Sequence, residues 1–102
     1  MMSLASDSAT TVMLSGPVTI YESIEIHESL VSALSAGQDL HVDLETSGPW
    51  DLAGFQLLVS VVNSAKKLDL TVRFLHIPGV CVEIAGRSGL RDWLEGHADS
   101  YV

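Results

Sequence analysis

Residue types that carry out chemistry are present in this chain, but their spacing brings few of them together. Gly48 and Gly54 bracket a loop that leads into a helical stretch, the layout of a phosphate-binding P-loop. Such a loop requires Lys and then Ser or Thr directly after its second glycine, and Phe55 and Gln56 stand there instead. Asp51 also brings a carboxylate to the same helix N-terminus, where an anion would otherwise bind. The segment therefore reads as a capped helix start and not as a nucleotide cradle. Gly86-Arg87-Ser88-Gly89 lacks the Gly-x-Ser-x-Gly spacing of a nucleophile elbow, which leaves Ser88 as a turn residue. Cys81 follows His76 by five residues, yet it lies among Val80, Val82 and Ile84, where a cysteine packs as a small hydrophobe. His27, His41, His76 and His97 occur singly, without the short His/Cys/Asp spacings that set several metal ligands on one face. From these patterns we expect no catalytic group, no metal and no cofactor.

Charge and composition exclude further classes. Thirteen Asp and Glu against five Lys and Arg give a formal net charge of -8 over 102 residues, a field that repels nucleic acid and anionic lipid. Glu22, Glu25 and Glu28 form a ridge at helical spacing, which reads as a solvated face or as a surface for a basic partner. The single cysteine cannot form an internal disulfide, which points to a reducing, cytoplasmic setting. Residues 1–11 have neither the basic start nor the apolar stretch of a secretory signal. The longest apolar runs fall far short of the roughly 20 residues that span a bilayer, so no membrane insertion is expected. A hydrophobic fraction of 47% suffices for one core. The expected organisation is a flexible tail over 1–11 and a single domain over 12–102.

The elements that would position these residues follow from periodicity. Val12-Met13-Leu14 and Val18-Thr19-Ile20 flank Ser15-Gly16-Pro17, which predicts an opening β-hairpin. A helix begins near Ser23, through a Thr19–Glu22 capping box or with Ser23 as its cap, and runs to about Ala36. Its apolar stripe is Ile24, His27, Leu30, Val31 and Leu34, with Gly37 just past its end. Leu40, Val42 and Leu44 alternate as in a central strand, and Glu45 to Trp50 form a loop. Asp51 then caps a second helix by accepting from the N–H of Ala53 or Gly54, while Trp50 packs on Phe55 as a hydrophobic staple. Leu58, Val61, Val62, Ala65 and Leu68 continue its stripe, and Lys66 and Lys67 suit its C-terminal end. Leu70 to Leu75 form another strand, Val80 to Ala85 a short helix, and Leu90 to Glu95 a last one. This is an α/β order with right-handed parallel crossovers, made mixed by the hairpin.

On that pattern, Leu40-His41-Val42-Asp43-Leu44 followed by Asp51-Leu52-Ala53-Gly54-Phe55-Gln56-Leu57-Leu58 resembles the centre of the STAS family, named for sulphate transporters and anti-sigma factor antagonists. Leu14 to Tyr21 is similar to that family's opening hairpin and Gly86 to Leu90 to its closing segment, so the resemblance spans nearly the whole chain. It implies a mixed sheet of four to five strands with helices packed mainly on one side, used as a non-catalytic protein-binding module. In the anti-sigma factor antagonists of the family, the Ser or Thr directly after the Asp is phosphorylated by a partner kinase, which ends binding. The matching residue here is Leu52, which has no hydroxyl. The resemblance thus implies an adaptor in partner switching, with Trp50, Asp51, Leu52, Gly54 and Phe55 as the partner-binding set and a kinase-like anti-sigma factor or another signalling protein as partner. Thr46 and Ser47 are the remaining candidate phosphoacceptors in the same loop. The alternative is a STAS subunit of a multi-protein complex, either a lipid-transport ATPase or a chemotaxis-linked assembly.

Overall fold

The computed structural model describes residues 9–98. Strand β1 (Thr10–Met13) opens earlier than the expected tail boundary after Thr11, and residues 1–8 of that tail lie outside the described residues. Then come β2 (Gly16–Val18), α1 (Ser23–Leu34), β3 (Leu40–Asp43), β4 (Ser47–Trp50), α2 (Leu52–Lys67), β5 (Val72–Leu75), α3 (Gly79–Arg87) and α4 (Arg91–His97). Strands β1, β3 and β5 form one parallel sheet with β3 in the middle, in the register Thr10–Leu40–Val72. Along β3 and β5 the residues alternate between buried (Leu40, Val42; Val72, Phe74) and half-buried, as period-2 pleating requires.

The opening hairpin is not formed. Strand β2 leaves β1 at Gly16, whose φ of +79° is open to glycine, and pairs in parallel with β4 as a separate two-stranded sheet. Every strand pairing among the described residues is parallel. The partner of β2 is the segment expected to be loop: Ser47-Gly48-Pro49-Trp50 contains no β-branched residue and a proline, so nothing local marks it as a strand.

Leu30 and Leu34 of α1, Phe55, Leu58, Val61, Val62 and Ala65 of α2, Cys81 and Ala85 of α3, and Leu94 of α4 join the sheet in one core. That core buries no polar or charged residue among those described. Trp93 of α4 meets Phe55 edge-on at 5.8 Å and closes over Phe74. Two apolar residues expected in the helical stripes turn outward, Ile24 in α1 and Leu68 at the end of α2. The inward stripe of α1 is carried instead by Ile26, Leu30 and Leu34, four residues apart.

Candidate functional site

The start of α2 is held from three sides. Asp51 has an extended backbone, and its Oδ1 accepts a hydrogen bond from the Gly54 N–H at 2.8 Å, the cap expected from sequence. Its Oδ2 accepts from the Ile20 N–H at 3.1 Å, so one carboxylate both caps α2 and pins the segment entering α1. Gly54 lies against β2: a Cβ there would stand 1.9 Å from the Val18 carbonyl oxygen, so only glycine lets the helix approach this closely. The Trp50 indole N–H donates to Ser47 Oγ at 3.0 Å, and the Ser47 hydroxyl donates to the Leu44 carbonyl at 2.7 Å.

Of the five residues in the expected partner-binding set, Leu52 is the outward one, 51% exposed on the first turn of α2. Asp51 is half-buried, Trp50 is buried at the groove's lining, and Gly54 and Phe55 lie in the interior, where they support the surface without reaching it. The aromatic partner of Phe55 is Trp93. Trp50, Asp51 and Leu52 form one wall of a shallow groove of about 450 Å³ whose other wall is Val80, Ile84 and Arg87 of α3. Sequence reasoning missed that second wall and the roles of Val18 and Ile20, because each is brought in from a distant segment. A glycine in the first turn of a helix was the one local sign of close approach. The loop hydroxyls are both engaged: Thr46 Oγ hydrogen-bonds Ser15 Oγ at 2.9 Å and donates to the Leu14 carbonyl at 3.3 Å. Thr46 is exposed, and Ser47 is half-buried beneath Trp50's hydrogen bond.

A second set of groups converges at the C-terminal ends of β3 and β5, which sequence spacing did not reveal. Asp43, Glu45 and His76 bring metal-ligating atoms within 4.8 Å of one another. His76 Nδ1 lies 3.0 Å from Asp43 Oδ1, which also accepts from the Glu45 N–H at 3.0 Å. The Glu45 N–H, followed by His76, holds the Asp43 carboxyl below its ordinary pKa. The hydrogen bond to Asp43 raises that of His76. These are the groups that could offer ligands to a divalent cation, although the Asp43 oxygen that would bind it already serves as a hydrogen-bond acceptor twice. As built, the hydrogen bond between Asp43 and His76, an ion pair when the imidazole is protonated, ties the end of β3 to the turn after β5. Elsewhere, Cys81 is fully buried, and burial pushes its thiol up to about 12, so it stays protonated at neutral pH.

Comparison with known proteins fits this geometry. The family model described as "Mlab, STAS domain" matches residues 2–96. The chain belongs to the STAS family. Solved STAS structures share the fold at low sequence identity. The unphosphorylated anti-sigma factor antagonist SpoIIAA superimposes with a TM-score of 0.68 at 16% identity, covering 84% of this chain and 76% of that one. The STAS domain of a SulP transporter from Vibrio cholerae gives 0.67 at 17%, covering 89% and 72%. The murine anion transporter Slc26a9 gives 0.75 at 14%, covering 93% of this STAS domain but 16% of the transporter. No curated protein matches in sequence. Within the described residues, no helix is long and apolar enough to cross a membrane.

Proposed function

We propose that this STAS domain is a non-catalytic adaptor in a cytoplasmic partner-switching pathway, docking a kinase-like anti-sigma factor or another signalling protein through the start of α2, with no phosphorylation switch at position 52. The observation that carries this reading is Leu52, a half-exposed hydrocarbon held on a rigid turn by the Asp51 cap and the Gly54–Val18 contact. A Ser or Thr at that place would, once phosphorylated, add about -1.5 to -2 charges beside Asp51 and repel a docked partner. Leucine instead supplies apolar area that a partner can bury under all conditions. Regulation then lies in the partner or its abundance, or in phosphorylation of Thr46, the more accessible of the two loop hydroxyls. The same permanence favours a second reading, in which the domain is a fixed subunit of a lipid-transport ATPase complex or a chemotaxis-linked assembly.

Affinity purification of the native protein tests both. Leu52→Glu should lose the copurifying protein, while Leu68→Glu, altered at the far end of the same helix, should keep it. Recovery of the same protein by both variants would rule out docking through this turn. A substoichiometric partner with a kinase fold supports the first reading and a stoichiometric ATPase the second.

A further inference from the structure

A second surface stands on the opposite flank of α2, facing α1. Ile20, Tyr21 and Ile24 are 62%, 91% and 73% exposed, three large apolar side chains within five residues. Single exposed apolar residues are ordinary, but Ile24 of this cluster lines a groove of about 420 Å³ between α1 and α2, with Ala53 and Leu57 as the rest of its apolar lining. His27 Nε2 and Ser60 Oγ, both in its lining, are hydrogen-bonded at 3.0 Å and link the two helices.

Charge tells what such a groove would accept. Residues 1–65 contain eight Asp and Glu and no Lys or Arg, whereas residues 66–102 carry five of each sign. The acidic part of the chain forms β1 to β4 as well as α1 and most of α2, and Glu25 and Glu28 are its two carboxylates on α1. Glu25 and Glu28 stand on α1 with no Lys or Arg on that helix, its single titratable base being His27, and Glu28 borders the groove itself. A second copy would bring the same uncompensated acids face to face, and an anionic membrane or nucleic acid would be repelled. Two packed helices leave a groove of the shape that receives a third, read through apolar anchors at i, i+3, i+4 and i+7.

We propose that the α1–α2 groove docks a basic amphipathic helix of a partner protein, its apolar side on Ile24, Ala53 and Leu57 and its flanking Lys and Arg on Glu25 and Glu28. This surface is separate from the α2–α3 groove and does not depend on the role of Leu52.

The probe is a synthetic peptide of about 15 residues with leucines at that spacing and lysines elsewhere, titrated into the full-length protein by fluorescence anisotropy and amide chemical-shift mapping. Two comparison peptides accompany it, one with the same composition scrambled and one with glutamate replacing every lysine. The expected result is saturable binding that weakens as salt is raised, with the largest shifts at Ile24, Glu28 and Gln56. Ile24→Glu, at an exposed position, should weaken it about tenfold or more, and Val80→Glu, in the other groove, should leave it unchanged. Equal binding of the scrambled or glutamate peptide, shifts centred on α3, or an absence of saturation would overturn the proposal. So would concentration-dependent self-association abolished by Ile24→Glu, which would make a second copy the occupant.

Discussion

The starts of α1 and α2 share one carboxylate, that of Asp51, and are otherwise built in opposite ways. At α2 a side-chain cap, a glycine pressed on the β2 backbone and a buried Trp50 leave a single apolar residue, Leu52, outside. At α1 the residue before the helix, Glu22, makes no cap bond. Its carboxylate turns back to accept from the Thr19 N–H and hydroxyl, and three large apolar residues stay in solvent. The difference teaches that fixing a helix end and leaving sticky surface beside it are separate tasks. The first rests on close backbone contact, and the second needs only that nothing in the chain covers the residues.

The comparison breaks most visibly at Gly54. Gly54→Ala forces a methyl into the Val18 carbonyl and should cost about 3 kcal/mol or more, measured by urea denaturation. The same change at Gly86 in α3, where an added Cβ meets nothing within 4 Å, should be neutral or stabilise by about 0.5–1 kcal/mol. Next in size is Asp51→Ala, which removes the α2 cap and the acceptor for Ile20 together, at about 1–2 kcal/mol. Amide hydrogen exchange should speed up at both Gly54 and Ile20. Glu22→Ala, at the looser helix start, should cost about 1 kcal/mol or less and leave Gly54 exchange unchanged. An equal cost at both positions would erase the distinction drawn between the two starts.

What the sequence made legible divides along the same line. The α2 boundary could be read from Asp51, Gly54 and the apolar spacing after them, because capping and helical periodicity act within a few residues. The α/β order and the family could be read for the same reason, from segments that each carry their own signal. The β2–β4 pairing could not, since Ser47-Gly48-Pro49-Trp50 is a strand only because β2 lies beside it. Ile24 sits three and seven residues before His27 and Val31, a helical spacing, yet which side of α1 faces inward depends on how α1 packs against α2. His76 and Asp43 stand 33 residues apart, and only the parallel pairing of β3 with β5 brings them together.

That pair gives the smallest expected effect, away from both helix starts. His76 has a raised pKa, so its contribution is full below its ordinary 6.5 and fades as pH rises through the raised value. Asp43 has a lowered pKa, so its contribution is full above its ordinary 3.8 and fades as pH falls through the lowered value. Both are therefore present together between those two ordinary values. His76→Gln should lower the melting temperature slightly near pH 5 and leave it nearly unchanged near pH 9, with the exposed His76 ring keeping the difference small. A constant difference across that range would mean the histidine acts by packing and not through its charge.

Position 52 offers the most direct test of the account, because Leu68, just past the other end of the same helix, is matched to it in exposure, 52% against 51%. A photo-crosslinking residue placed at either site in the native cell should give, from position 52, one discrete adduct whose protein also forms a purified complex with the wild-type domain. It should give none from position 68. The same adducts from both positions, or none from position 52, would contradict a docking role for the start of α2.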